Sequence, residues 1–136
     1  MKKVKNRSLI SLFSIAVAVL SIGSSTVLAS SWSISKVYVP AHGKGSGVNG
    51  SGNTKATNGG EASFNGDSQP NWLGCKSQLV NTSNIRRSDD ASLYKNKTTH
   101  AATMAQRGYT YYANVHSAGL EPNGSWVKLH FSADKK

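Results

Sequence analysis

Apolar and polar positions alternate most strictly in the last third of the chain. Tyr109, Tyr111, Ala113 and Val115 alternate with Thr110, Tyr112, Asn114 and His116, and Val127, Leu129 and Phe131 alternate with Trp126, Lys128 and His130. A period of two marks a strand with one face buried. Gly119 and Glu121-Pro122-Asn123-Gly124 separate the two segments with turn residues, so the pair reads as a β-hairpin. The same alternation runs from Ser35 to Pro40, with Val37 and Val39 on one face and Lys36 and Tyr38 on the other, until Pro40 ends it. From Trp72 to Val80, Leu73, Cys75, Ser77 and Leu79 share a face, which predicts another half-buried strand despite Gly74.

Between these segments the pattern is weaker. Ala62 to Phe64 is expected as a short strand, followed by turns at Gly66-Asp67 and Gln69-Pro70-Asn71. Residues 43–60 hold seven glycines among Ser, Asn and Thr, little side chain to bury and much backbone entropy to lose, so a long mobile loop or a ragged edge hairpin is expected. Asn81 to Asp90 is polar and turn-rich, and Ser88-Asp89-Asp90-Ala91 has the composition to cap a single helical turn through Tyr94. Thr98 to Met104 is rich in Thr and Ala, with Met104 as a packing residue, and Arg107-Gly108 turns the chain into the Tyr109 strand. No repeat is visible. About six to eight short antiparallel strands, punctuated by turns, predict an all-β domain, a small β-sandwich or open barrel.

One apolar segment does not alternate. Leu9 to Ile22 is a run broken only by serines, preceded by Lys2, Lys3, Lys5 and Arg7 and followed by Val27-Leu28-Ala29. That order of charge, apolar stretch and small residues is the pattern of a secretory signal peptide, with cleavage after Ala29. An uncleaved anchor is the alternative, but a spanning helix needs roughly 20 mainly apolar residues and this run is shorter. The expected organisation is a signal peptide over residues 1–29 and a single secreted β domain over 30–136, with its Gly-rich loop at about 43–60.

Removing the leader changes the electrostatics. The full chain carries a formal charge of +10, whereas residues 30–136 hold 12 Lys/Arg against 6 Asp/Glu, or +6. Such an excess attracts polyanions in a salt-dependent way, which makes cell-wall polymers, an anionic membrane surface or another envelope component the expected partners. The basic residues are scattered, so solubility alone is the competing explanation, and specific nucleic-acid binding is not expected. Cys75 is the only cysteine, which forbids an intramolecular disulfide and leaves a buried thiol or an intermolecular bridge.

Catalytic signatures are missing. The glycines around Lys44 lack phosphate-loop spacing, and no serine sits in a Gly-x-Ser-x-Gly elbow. A thiolate at Cys75 needs a base such as His100 or His116, and nothing in the spacing brings one alongside. Glu61, Asp67, Asp89, Asp90, Glu121 and Asp134 fall mostly in turns without the convergence that glycoside hydrolysis requires. His42, His100, His116 and His130 show no local metal-binding spacing, so neither metal nor cofactor is expected, although His116 and His130 would share a surface if their strands paired.

Binding chemistry is better represented. In the predicted hairpin, Trp126, Lys128, His130 and Tyr112, with His116 beside them, share the face opposite Val127, Leu129 and Phe131. Aromatic planes mixed with cations suit sugar rings and anionic polymers. The competing reading buries both faces of a central strand, or uses Trp126 to close the edge of the core.

Two likenesses rest on short segments. Lys36-Val37-Tyr38-Val39-Pro40, the Gly/Ser/Thr-rich segment, Arg107-Gly108-Tyr109-Thr110-Tyr111-Tyr112 and the closing Asn123-Gly124-Ser125-Trp126-Val127 resemble elements of small secreted β-sandwich proteins of Gram-positive bacteria. Thr98-Thr99-His100-Ala101-Ala102-Thr103 is similar to a motif of lactococcin-972-type bacteriocins. The first resemblance implies a secreted β-sandwich with no catalytic residues to carry over, and the second a secreted antimicrobial or toxin-like protein. The expected function is non-enzymatic binding at a cell envelope or another polyanionic or glycan surface, with bacteriocin-like activity as the alternative.

Overall fold

The computed structural model describes residues 30–70 and 74–136. The expected leader over residues 1–29, with its cleavage point, lies outside the described residues, as do Trp72 and Leu73. Among the described residues eight strands form: β1 (Ser33–Val39), β2 (Asn53–Thr54), β3 (Glu61–Ser68), β4 (Cys75–Val80), β5 (Ala91–Ser92), β6 (Thr98–Ala102), β7 (Thr110–Ser117) and β8 (Ser125–Ser132). They pair antiparallel into a front sheet ordered β1-β8-β3-β6 and a back sheet ordered β2-β7-β4-β5. The all-β sandwich that alternation predicts is therefore present.

Alternation also decides what lies between the sheets. Val37, Val39, Val127, Leu129 and Phe131 from β1 and β8 are buried, as are Leu79 from β4 and Tyr111, Ala113 and Val115 from β7. Phe64 and Phe131 are cross-strand partners whose rings stack at 6.5 Å between centroids. Each such side chain taken out of water contributes about 1.5–3 kcal/mol, and together they fix the register, because a one-residue slip would turn every one of them outward.

The two open sides of the sandwich are closed differently. On the β6 side, backbone bonds from Asp89 N to Ala102 O (2.8 Å) and Met104 N to Arg87 O (2.8 Å) carry the front sheet into the segment before β5, drawing this side into a half-barrel. On the β1 side the glycine-rich segment does the work. Ser46 N donates to Val115 O (2.8 Å) and Val115 N to Ser46 Oγ (2.9 Å), while Ser51 N donates to Ser35 Oγ (3.0 Å) and Ser33 Oγ to Gly52 O (2.8 Å). The segment thus bonds to β7 on one side and β1 on the other; its strand β2 pairs with β7 rather than with another part of the segment. Gly50 shows why side chains are sparse here: its φ is +75°, and a Cβ would lie 2.7 Å from Ser35 Oγ.

A buried ion pair locks the end of this seal to the C-terminal segment. Lys55 is fully buried, and its Nζ donates to Ala133 O at 2.7 Å and lies 3.3 Å from Asp134 Oδ1. Asp134 also accepts from Ala56 N (2.9 Å), Thr57 N (3.0 Å) and Thr57 Oγ1 (2.6 Å). Burial alone raises the Asp134 pKa, but the Thr57 hydroxyl, the amides of Ala56 and Thr57 and the Lys55 ammonium outweigh it and hold the carboxyl below its ordinary range.

Four sequence expectations are corrected. β7 and β8 do not form a hairpin: β7 pairs with β2 and β4, β8 with β1 and β3, and residues 118–124 arch from one sheet to the other. Alternation identifies a strand but not its partner, and turn residues serve an arch as well as a hairpin. Gly66-Asp67 is not a turn but lies within β3, at a register shift between Gly66 and Ser68. The helical turn through Tyr94 does not form, because Ser88 Oγ accepts the Leu79 amide at 2.7 Å and the chain continues into β5. Met104 is exposed rather than packed.

Candidate binding face

The pairing of β1 with β8 builds the site. Directly opposed residues share a face, so Ile34↔His130, Lys36↔Lys128 and Tyr38↔Trp126 stand as three rungs on the outer side of the front sheet. Their inward neighbours Ser35, Val37, Val127 and Leu129 are buried. Facing water, in contrast, Ile34 is 60% exposed, Tyr38 50% and Trp126 58%. Nothing among the described residues covers these groups.

The side chains on the rungs organise one another. Tyr38 and Trp126 meet edge to face at 5.7 Å between centroids, and Lys36 Nζ lies 5.5 Å from the Trp126 ring centre. Such a contact keeps the ammonium over the indole with its remaining donors free. At the other end, Trp32 meets the His130 ring edge to face at 4.7 Å, and His130 Nδ1 lies 2.6 Å from Asp67 Oδ1, which fixes the imidazole. Gly124 makes the aromatic rung possible, since a Cβ there would collide with the Tyr38 hydroxyl.

The face is electrostatically unbalanced. Asp67 is paired with His130, and Glu61, farther across the same sheet on β3, is bonded to Lys135 at 2.6 Å. That bond to the ammonium holds the Glu61 carboxyl below its ordinary range. No described carboxylate forms an ion pair with Lys36 or Lys128.

Of the five predicted contact residues, the structure brings together Trp126, Lys128 and His130 and separates the other two. Tyr112 and His116 sit on β7 in the back sheet, half-buried, and His116 Nε2 is 3.3 Å from Asp90 Oδ1. His116 and His130, which would share a surface only if their strands paired, lie on different sheets. Trp32, Ile34, Lys36 and Tyr38 take the places of Tyr112 and His116. The outward phase of Lys36 and Tyr38 was readable from the alternation of Ser35 to Pro40; what was missing was the β1–β8 pairing and the extension of the face to Ile34 and to Trp32, just before β1.

Cys75 belongs to a different part of the molecule. It is buried in the core near a cleft of about 820 Å³ lined also by His42, Gln69, Tyr94 and His116. Burial pushes its thiol pKa up to about 11, so it carries little thiolate at neutral pH. Cys75 pairs across the sheet with Ser117, one position beyond His116, so the thiol and the imidazole point to opposite faces.

Comparison with family models, with curated proteins and with solved structures gives no match.

Proposed function

We propose that this chain is a secreted, non-enzymatic domain that binds a polyanionic or glycan surface at a cell envelope through the outer face of its front sheet. The observation that carries the reading is the rung of Tyr38 and Trp126 beside the Lys36–Lys128 rung, which no described carboxylate pairs, on a sheet whose opposite side is the core. Rigid aromatic planes bind with little loss of side-chain entropy, and adjacent cations add salt-dependent attraction. The high thiol pKa of Cys75 and the pairing of the front-face carboxylates support binding rather than catalysis.

Pull-down on purified Gram-positive wall material and on anionic liposomes, at low and high salt, tests the proposal. Retention on wall material at low salt, reduced by salt and lost in Trp126→Ala, is the expected result. Failure to bind at either salt, or binding that Trp126→Ala leaves intact, rejects the front face. The antimicrobial alternative predicts inhibition of Gram-positive growth by the purified protein.

A further inference from the structure

We infer that the front face recognises a phosphodiester-linked glycan or polyol chain, with one phosphodiester seated between Lys36 and Lys128. This rests on the binding reading above and assigns the ligand's chemistry. Lys36 and Lys128 are direct cross-strand partners, and like charges so opposed destabilise a sheet. No described carboxylate pairs with either one to relieve the repulsion. A bound anion relieves it, which makes the pair an incomplete site rather than a fold determinant.

Lysine ammonium groups act as separate point charges that serve phosphate and carboxylate alike, so the kind of anion follows from its place in the ligand. Lys36 and Lys128 are opposed in register, with Lys36 Nζ 5.5 Å from the Trp126 ring centre, so the anion they hold lies next to a ring surface. A phosphodiester lies between two units, whereas a uronate carboxylate lies on one. The order along the face then defines the rest of the ligand. Tyr38–Trp126 gives a ring surface, Lys36–Lys128 the cations, and Ile34–His130 with Trp32 a second apolar and aromatic surface. Successive outward positions on a strand are about 7 Å apart. This sequence of ring, cation and ring matches a chain in which a phosphodiester links two sugar or polyol units.

A bilayer fits the face less well. The lysines lie between the aromatic rungs rather than around them, so sinking the rings into the acyl region would drag two ammonium groups below the headgroups.

Tryptophan-fluorescence and calorimetric titrations of the purified chain decide the question. The probes are glucosylated poly(glycerol phosphate), an uncharged glucan, polygalacturonate and phosphatidylglycerol vesicles. The phosphodiester polymer is expected to bind most tightly, with Lys36→Gln and Lys128→Gln each weakening it about tenfold without lowering Tm. Binding of the uncharged glucan is expected to be weaker, indifferent to the lysine substitutions and abolished by Trp126→Ala. Equal affinity for polygalacturonate, preferential binding to the vesicles, or unchanged affinity of the lysine variants for the phosphodiester polymer overturns the inference. If Trp126-dependent binding of any polymer survives such a result, only the phosphodiester assignment falls; if no probe binds, the proposed function falls with it.

Discussion

The outer face of the front sheet and the flank between β1 and β7 lie on either side of the same strand, and the chain treats them in opposite ways. Along the flank, a glycine-rich segment runs against both sheets, bonding Ser46 to Val115 and Ser51 to Ser35, and ends at the buried Lys55–Asp134 pair. On the face, Ile34, Tyr38 and Trp126 are left at least half exposed, with none of the described residues across them. Within the described residues, the chain that covers β1 is directed to its edge rather than its face. Rings left open beside lysines that no described carboxylate pairs are what the proposed binding function requires.

Breaking the flank should cost most. Asp134→Ala leaves the Lys55 ammonium buried without its carboxylate and orphans the donors of Ala56 and Thr57. A loss of about 3–5 kcal/mol is expected, read as a fall in Tm of more than about 10 °C. The same carboxyl supplies a pH test. Because its folded pKa is lowered, its stabilising contribution is present above the ordinary carboxylate range and is lost as pH falls through the folded value. Urea melts from neutral to acid pH should therefore show a smaller acid-dependent loss in Asp134→Asn than in the wild type.

Gly50→Val attacks the middle of the seal. The residue sits at φ +75°, and its Cβ would meet Ser35 Oγ at 2.7 Å and a methyl of Val37 at 3.3 Å. Strain and displacement of the loop are expected to cost about 1–3 kcal/mol by denaturant melt. A neutral result would mean that the glycines serve something other than close approach.

The two regions differ just as sharply in how far the sequence revealed them. Outward and inward phases were readable wherever apolar residues alternate, so the burial of Val37, Val39, Val127, Leu129 and Phe131 and the exposure of Lys36, Tyr38, Trp126 and Lys128 were foreseeable. Strand partnership was not, because it depends on long-range packing, and the wrong hairpin placed Tyr112 and His116 beside Trp126. The seal was least legible. Glycines and serines signal low side-chain content but not where their backbone bonds go, and nothing local marks Lys55 as the partner of Asp134, 79 residues away.

Truncating the front-face tryptophan should do little to the fold. Trp126→Ala removes a half-exposed ring, its edge contact with Tyr38 and its contact with Lys36. Such contacts are worth about 1 kcal/mol together at an exposed site, so a Tm change of a few degrees beside complete loss of polymer binding is expected. A loss comparable to that of Asp134→Ala would make the indole a structural cover, and the face would then resemble the flank.

The smallest effect carries a sign that separates the two regions. Lys128→Gln removes one of two opposed ammonium groups, and relief of that repulsion stabilises by about 0.2–1 kcal/mol. Both lysines are exposed, so the gain should shrink as added salt screens the charges. Thermal melts of wild type and Lys128→Gln at low and high salt measure it: a higher Tm at low salt that converges on the wild type at high salt is the expected outcome. Every substitution considered along the flank lowers stability, whereas here removal of a native group raises it, as happens where a residue is retained for a task other than folding. If Lys128→Gln instead lowers Tm at both salts, Lys128 supports the sheet and the opposed lysines lose their significance as a binding site.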